Sequence, residues 1–319
     1  MFSTQTMLTT HIATLRSDLK RPFRLLLCGD PALIVEMRAL LLRAEQGHEP
    51  SDDAAALLET IAPHRRETWA GDDIKLIVFL GRRGDEQLPL TELTHFRVPI
   101  LALVVDPENQ AAPAPLATPA AGRVERLIVP NLELDALKVR AFPYVAEAVK
   151  AVAVPVAQRY PVLREAICAL LTRDAARSAM KVSAASALVD QVPILGFLVS
   201  SASDLVAISA IQMNLALKIG GAYRRDPELA TVWELLPIVG GGFGWRALSR
   251  ELSGFVPMAG LAIKAAIAYA GTVVVGEGVA FYYRTGRHMS SGQVAEIYAD
   301  TKRAAVEIAR EFFVRLRRR

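Results

Sequence analysis

Apolar residues follow two different rhythms along this chain. Up to about residue 130 they form short uninterrupted runs: Arg24 to Cys28 (RLLLC), Ile74 to Leu80 (IKLIVFL), Ile100 to Val105 (ILALVV) and Leu127 to Val129. Turn signals end them, Gly29-Asp30-Pro31 after the first and Pro130 after the last. Such runs suit strands buried on both faces of a parallel sheet. Helix-periodic stretches, including Ala32 to Arg43 and Ala54 to Ile61, lie between them. The pattern predicts an N-terminal segment over 1–20 and a doubly wound, mostly parallel α/β domain over 21–145.

From Phe142 onward the strand signals fade and the rhythm becomes helical. Tyr144 to Val154 and Val162 to Val182 read as helices, and two long apolar stretches follow, Val192 to Ile219 and Met258 to Tyr283. The last helix starts at Ser290 and Gln293, which have capping-box spacing, and carries Val294, Tyr298, Ala305, Ile308 and Phe312 on one side. Residues 146–319 therefore read as an all-α domain with two long apolar helices, near 192–219 and 258–283. Ala262, Ala266 and Ala270 recur every fourth residue of the second, a stripe that lets another helix approach closely.

Composition sharpens this picture. A chain of 319 residues exceeds the usual size of a single core, and the excess in its 52% hydrophobic content over an ordinary soluble chain lies in the second half. Residues 1–150 carry 17 Lys+Arg against 20 Asp+Glu, whereas the remainder carries 20 against 13. An acidic head and a basic, apolar tail predict that the tail meets something anionic or membranous. Cys28 and Cys168 have neither disulfide-framework nor zinc-site spacing, which fits a reducing cytoplasm. Met1 to Lys20 lacks the charged, apolar and small-residue sequence of a secretory leader, so none is expected. Pro107 to Gly122 reads as a long Pro/Ala-rich surface loop.

Candidate chemistry is sparse. Gly29-Asp30-Pro31 stands where a nucleotide-binding loop would, after the first strand and before a helix. A P-loop needs glycine, lysine and a hydroxyl where this chain has Ile34, Val35 and Glu36, and a carboxylate at Glu36 repels phosphate. Val105-Asp106-Pro107-Glu108 lacks the Asn and Lys of a guanine-reading loop. A phosphoryl-accepting receiver needs an acidic pair after strand one and an aspartate ending the central strand; here Asp30 stands alone and IKLIVFL runs into Gly81. Gly242, Gly244 and Ala247 match a dinucleotide pattern but follow no clear strand, and position 264 is lysine where an acidic ribose partner belongs. His11, His48, His64, His95 and His288 show no paired ligand spacing. The expectation is therefore no catalytic residue, no cofactor, no metal, no nucleic acid and no small-molecule substrate.

The apolar stretches are marginal as membrane spans. About ten apolar residues between Val192 and Ile211 contribute roughly −0.3 to −0.6 kcal/mol each, and one central aspartate costs roughly +2.5 to +3.5. Asp204 thus brings the first near zero, and Lys264 and Glu277 weaken the second. The two readings are a membrane hairpin in which Asp204 and Lys264 pair, or a buried helical core. Arg315, Arg317, Arg318 and Arg319 suit either an anionic surface or the dipole of the helix they end.

From about Pro161 to Arg287 the text resembles the domain-of-unknown-function family 697, found after Era-like GTPase domains and in YcjF-type inner-membrane proteins. The resemblance rests on Asp204, Gln212, Trp245-Arg246, Lys264, Tyr269-Ala270-Gly271-Thr272 and Gly276. It implies that Asp204 and Lys264 are intramembrane or buried polar positions, and that the first half is a GTPase-like domain with worn nucleotide motifs. The expectation is a non-catalytic, membrane-associated regulatory or scaffold protein with a pseudo-GTPase-like head, at the cytoplasmic face of the inner or cell membrane and touching anionic lipid, its helical domain entering or lining the bilayer through the apolar hairpin. The alternatives are a soluble cytoplasmic protein that binds a partner or oligomerises, and a GTPase-related enzyme with a noncanonical site.

Overall fold

The computed structural model describes residues 4–45, 47–60, 73–84, 93, 97–108, 117–189, 196–228, 230–231, 233–235 and 260–317. The chain is a mixed α/β protein that divides into two compact units, Ser17–Leu170 and Met1–Arg16 with Leu171–Arg319. The N-terminal segment is helical, α1 (Thr4–Leu19), so both chain ends contribute to the second unit.

The first unit is organised by a five-stranded sheet: β1 (Arg24–Gly29), β2 (Leu58–Thr60), β3 (Ile74–Arg82), β4 (Ile100–Val105) and β5 (Val124–Val129). Their order is β2-β1-β3-β4-β5, and every pairing is parallel. All six residues of β4 are buried, as are Leu25 to Cys28 of β1, which is why these strands show no polar alternation. From β1 the chain moves outward to β2, then returns past β1 to β3, creating the switch point at which doubly wound sheets of order 2-1-3-4-5 form a crevice. Around the sheet run α2 (Pro31–Leu41), α3 (Ala54–Leu57), α4 (Leu134–Ala148) and α5 (Ala153–Arg159).

Two strands differ from the sequence expectation, and the helix expected over Tyr144 to Val154 is divided between α4, a 3-10 turn at Lys150–Val152 and α5. The helix expected over Ala54 to Ile61 stops at Leu57, because Leu58, only 1% exposed, pairs with Leu25, and the Arg24 guanidinium donates to the Glu59 carboxylate at 2.7 Å. Cross-strand packing overrides local preference in so short an element. β5 begins at Val124, three residues before its apolar run, since Val124 to Arg126 lie on a partly exposed edge strand.

In the second unit α6 (Arg164–Val189, its first residues in the other unit), α7 (Gly196–Ala222), α8 (Gly260–Thr285) and α9 (Ser291–Arg317) follow. α8 packs along both α7 and α9. Its residues 265–270 are all buried, the mark of a helix enclosed by others. Ala265, Ala266 and Tyr269 pack with Ala176, Met180 and Ala184 of α6, and Ile308 of α9 joins that cluster. Further along, a Cβ on Gly276 would collide with the Thr172 side chain, so α6 and α8 run antiparallel and touch closely. α7 runs the other way: Ile208 packs with Ala268, Gln212 bonds Thr272, and Tyr223 stacks on Tyr283 at 5.7 Å. Both numbers rise together, so α7 and α8 are parallel neighbours, whereas a hairpin requires antiparallel ones. The start of α9 is as expected: the Ser290 N–H donates to Gln293 Oε1 at 2.9 Å and the Gln293 N–H to Ser290 Oγ at 3.3 Å.

Two glycines of one helix should respond oppositely to the same change. Gly276→Ala should cost about 1–3 kcal/mol in denaturant unfolding because Thr172 has to move. Gly271→Ala, with no atom of the described residues within 4 Å of its added carbon, should gain up to about 1 kcal/mol in helix propensity. Equal effects at the two sites would contradict this packing.

Candidate functional site

The switch-point crevice is bounded by the end of β1, the start of α2 and the end of β3. Gly29 adopts φ +117, and a Cβ there would collide with the Leu80 carbonyl oxygen, so only glycine lets β1 turn this closely against β3. Asp30 is the N-cap of α2. Its Oδ1 accepts from the Ala32 N–H at 2.8 Å and the Leu33 N–H at 3.1 Å, and Pro31 begins the helix without a donor of its own. Its Oδ2 accepts from Arg82 Nε at 3.1 Å. The Leu33 amide bond, with help from Arg82 and Ala32, holds the Asp30 carboxyl below the usual carboxylate range.

A helix N-terminus behind a strand is a ready anion site because its first amides point at the ligand. Here those amides already have an anion, and the anion is part of the chain. Arg83, beyond β3, is engaged likewise: it donates to the buried Asp106 carboxylate at 3.0 Å, and Asp106 also accepts from the Glu108 N–H at 3.2 Å. Of the positions where a P-loop needs its Gly-Lys-hydroxyl set, Ile34 is buried in the core, Val35 is 68% exposed and Glu36 is exposed. None of the three supplies a cation or a hydroxyl. Arg82 and Arg83 were missed by motif reading; their signal is their position, at and just beyond the end of the central strand and between Gly81 and Gly84.

Other reactive groups are sequestered. The Cys28 thiol is fully buried and burial pushes its pKa up to about 12, so no thiolate forms near neutral pH. Among the described residues no three His, Cys, Asp or Glu side chains gather as a metal site. A cavity of about 20 Å³ lies between sheet and helices, lined by apolar side chains including Leu25, Met37, Leu101 and Phe142, too small for a cofactor.

In the helical unit the polar candidates separate. Gln212 is 2% exposed and donates to Thr272 Oγ1 at 3.2 Å, while Thr272 donates to the Ala268 carbonyl at 2.8 Å. This bond across parallel helices gives Gln212 a structural role, and Thr272 is the partner that sequence reading did not assign. Asp204 and Lys264 each lie one helical turn before the Ile208–Ala268 contact, and their side chains are outside the described residues. Glu277 is half-buried on α8, Tyr269 is 8% exposed in the α6–α8 cluster, and Gly271 and Gly276 lie on the same helix. Trp245, Arg246, Gly242, Gly244, Ala247, Arg318 and Arg319 fall outside the described residues, as do the Arg315 and Arg317 side chains.

No family model matches the chain, and no curated protein or solved structure does either.

The Asp30 cap predicts a pH signature. A carboxylate with a depressed folded pKa contributes stability above its unfolded value, and loses it as pH falls through the folded one. Asp30→Ala should therefore cost about 1 kcal/mol near pH 7, and its deficit relative to the parent should close in acid. A deficit that is constant from pH 7 to pH 2 would contradict the capping role.

Proposed function

We propose that this chain is a non-catalytic regulatory or scaffold protein whose α/β unit keeps the architecture of a nucleotide-binding head without its site. The observation carrying this reading is the Asp30 carboxylate seated on the Ala32 and Leu33 amides and against Arg82. An incoming phosphate meets a negative charge where it needs donors, and no lysine or hydroxyl follows to hold it or a magnesium ion. The resemblance of the second half to family 697 supports the same reading, with a worn, pseudo-GTPase-like head.

The helical unit is proposed to dock peripherally at the cytoplasmic face of the inner or cell membrane, on anionic lipid, through the end that carries Arg315, Arg317, Arg318 and Arg319. Among the described residues one helix, Ala265–Thr285, is long and apolar enough to cross a bilayer, and 56% of its window is buried inside the protein. Two features favour keeping it there. α6 packs on its first half and exposes Arg177 and Lys181 beside the contact residues Ala176 and Met180. In hydrocarbon each of those cations would cost roughly 2.5 to 3.5 kcal/mol. The parallel course of α7 and α8 would also require the charged connection between them to cross back. The second reading is a transmembrane protein, favoured by the length and composition of Ala265–Thr285 alone. A protein partner or self-association fits the scaffold role equally in either setting.

Isothermal calorimetry of the full chain with magnesium and GTP or ATP tests the head. The expected result is no saturable heat up to millimolar nucleotide. A micromolar Kd for either would establish a noncanonical nucleotide site and with it the enzyme reading.

A further inference from the structure

A helix on the surface of a domain ordinarily turns a polar side outward, and α2 does not. Its inner side is Leu33, Ile34, Met37 and Leu41, all buried. The opposite side carries Ala32, Val35, Ala39 and Leu42, an apolar face on which Val35 is 68% exposed. Leu42 lies just past the helix, but its N–H donates to the Arg38 carbonyl at 3.0 Å and the Arg43 N–H to the Leu40 carbonyl at 3.1 Å, so the last turn runs on to Arg43. Glu36 and Arg43 border the apolar face on one side, seven residues and so nearly two full turns apart. Both are exposed, and neither side chain has a partner among the described residues. The other border is Arg38, whose guanidinium is engaged by the Leu58 and Ala55 carbonyls.

Resting on the scaffold reading above, we infer that the outer face of α2 pairs with the same face of a second copy of this chain, antiparallel about a two-fold axis. Such pairing is isologous: it sets like borders of the two helices together and reverses their levels. With the axis between Ala39 and Leu40, Glu36 of each copy stands level with Arg43 of the other, so both charges find partners twice over. Val35 then lies within one turn of Leu42 of the second copy, and the alanine at the axis lets the two backbones approach. A parallel pair would instead set this border against the one held by the engaged Arg38, leaving Glu36 and Arg43 unanswered. A foreign helix fits the apolar face equally; the opposite charges seven residues apart are what favour a second copy. An 11-residue helix covers too little surface for a permanent dimer, so the association is weak and concentration-dependent.

Sedimentation velocity of the full chain over a concentration series, at low and high salt, reads this association. The expected result is a weak monomer–dimer equilibrium that salt weakens further. Glu36→Arg or Arg43→Glu alone turns both attractions into repulsions and should raise the dimer Kd about tenfold, whereas the charge-swapped double variant should return it to within about twofold. Val35→Asp should abolish the dimer. All three side chains are exposed, so each variant should fold, which thermal melts verify. A parent that stays monomeric at its highest soluble concentration, or a dimer indifferent to Val35→Asp and to both charge reversals, would overturn the inference. Loss of the dimer in Trp233→Ser, with Val35→Asp behaving as the parent, would overturn it in favour of the helical unit, where Trp233 is 70% exposed. Failure of the double variant to recover would overturn the antiparallel register. A monomeric parent leaves the non-catalytic reading of the head standing, and a micromolar nucleotide Kd would remove that reading with the dimer intact.

Discussion

A helix that starts at the carboxyl edge of a parallel sheet presents unpaired amides, and some acceptor has to meet them. In nucleotide-binding folds that acceptor is a phosphate; in this head it is the carboxylate of Asp30, one residue past the strand. Much of the local structure follows from this contact. Gly29 has to take a positive φ to bring the carboxylate over the helix, the Leu80 carbonyl accepts the Asp30 N–H at 2.8 Å, and Arg82 leaves the end of β3 to balance the charge. The crevice is thereby closed by interactions that need no ligand.

The helical unit meets a related constraint in apolar surroundings. A helix enclosed on several sides leaves little water for its polar side chains, so a buried one is stabilised by a partner inside. Thr272 turns its hydroxyl onto its own helix and takes the Gln212 amide from α7, while alanines and Gly276 let α6 come close. Small residues and interhelical hydrogen bonds such as this one stabilise a bundle whether its outside is lipid or water. The outer faces separate the two cases, and those of α6 bear cations at the level of the enclosed segment.

The sheet was legible because its strands are buried on both faces, so that β1, β3 and β4 stand out as unbroken apolar runs. β2 was not, since three residues carry no periodicity and its place is set by Leu25 and Arg24 across the sheet. The turn at Gly29-Asp30 and the capping box at Ser290 and Gln293 were readable because each is a local contact between residues close in sequence. The relative direction of α7 and α8 was hidden, since apolar composition gives length and not course, and 60 residues separate Gln212 from Thr272. In the crevice the absence of P-loop residues was plain from the text. What replaces them was not, because Arg82 meets Asp30 only after β3 has paired with β1.

The account turns on whether the α2 amides are already occupied. Nuclear magnetic resonance of the isotopically labelled full chain, titrated with inorganic phosphate and then with magnesium and GTP, follows the Ala32 and Leu33 amide signals directly. Occupation by Asp30 predicts that neither signal shifts with phosphate or nucleotide in the parent protein. Saturable, site-confined shifts of both amides in the parent would show that a ligand displaces the carboxylate, and would contradict the reading of this head as a filled and non-catalytic site.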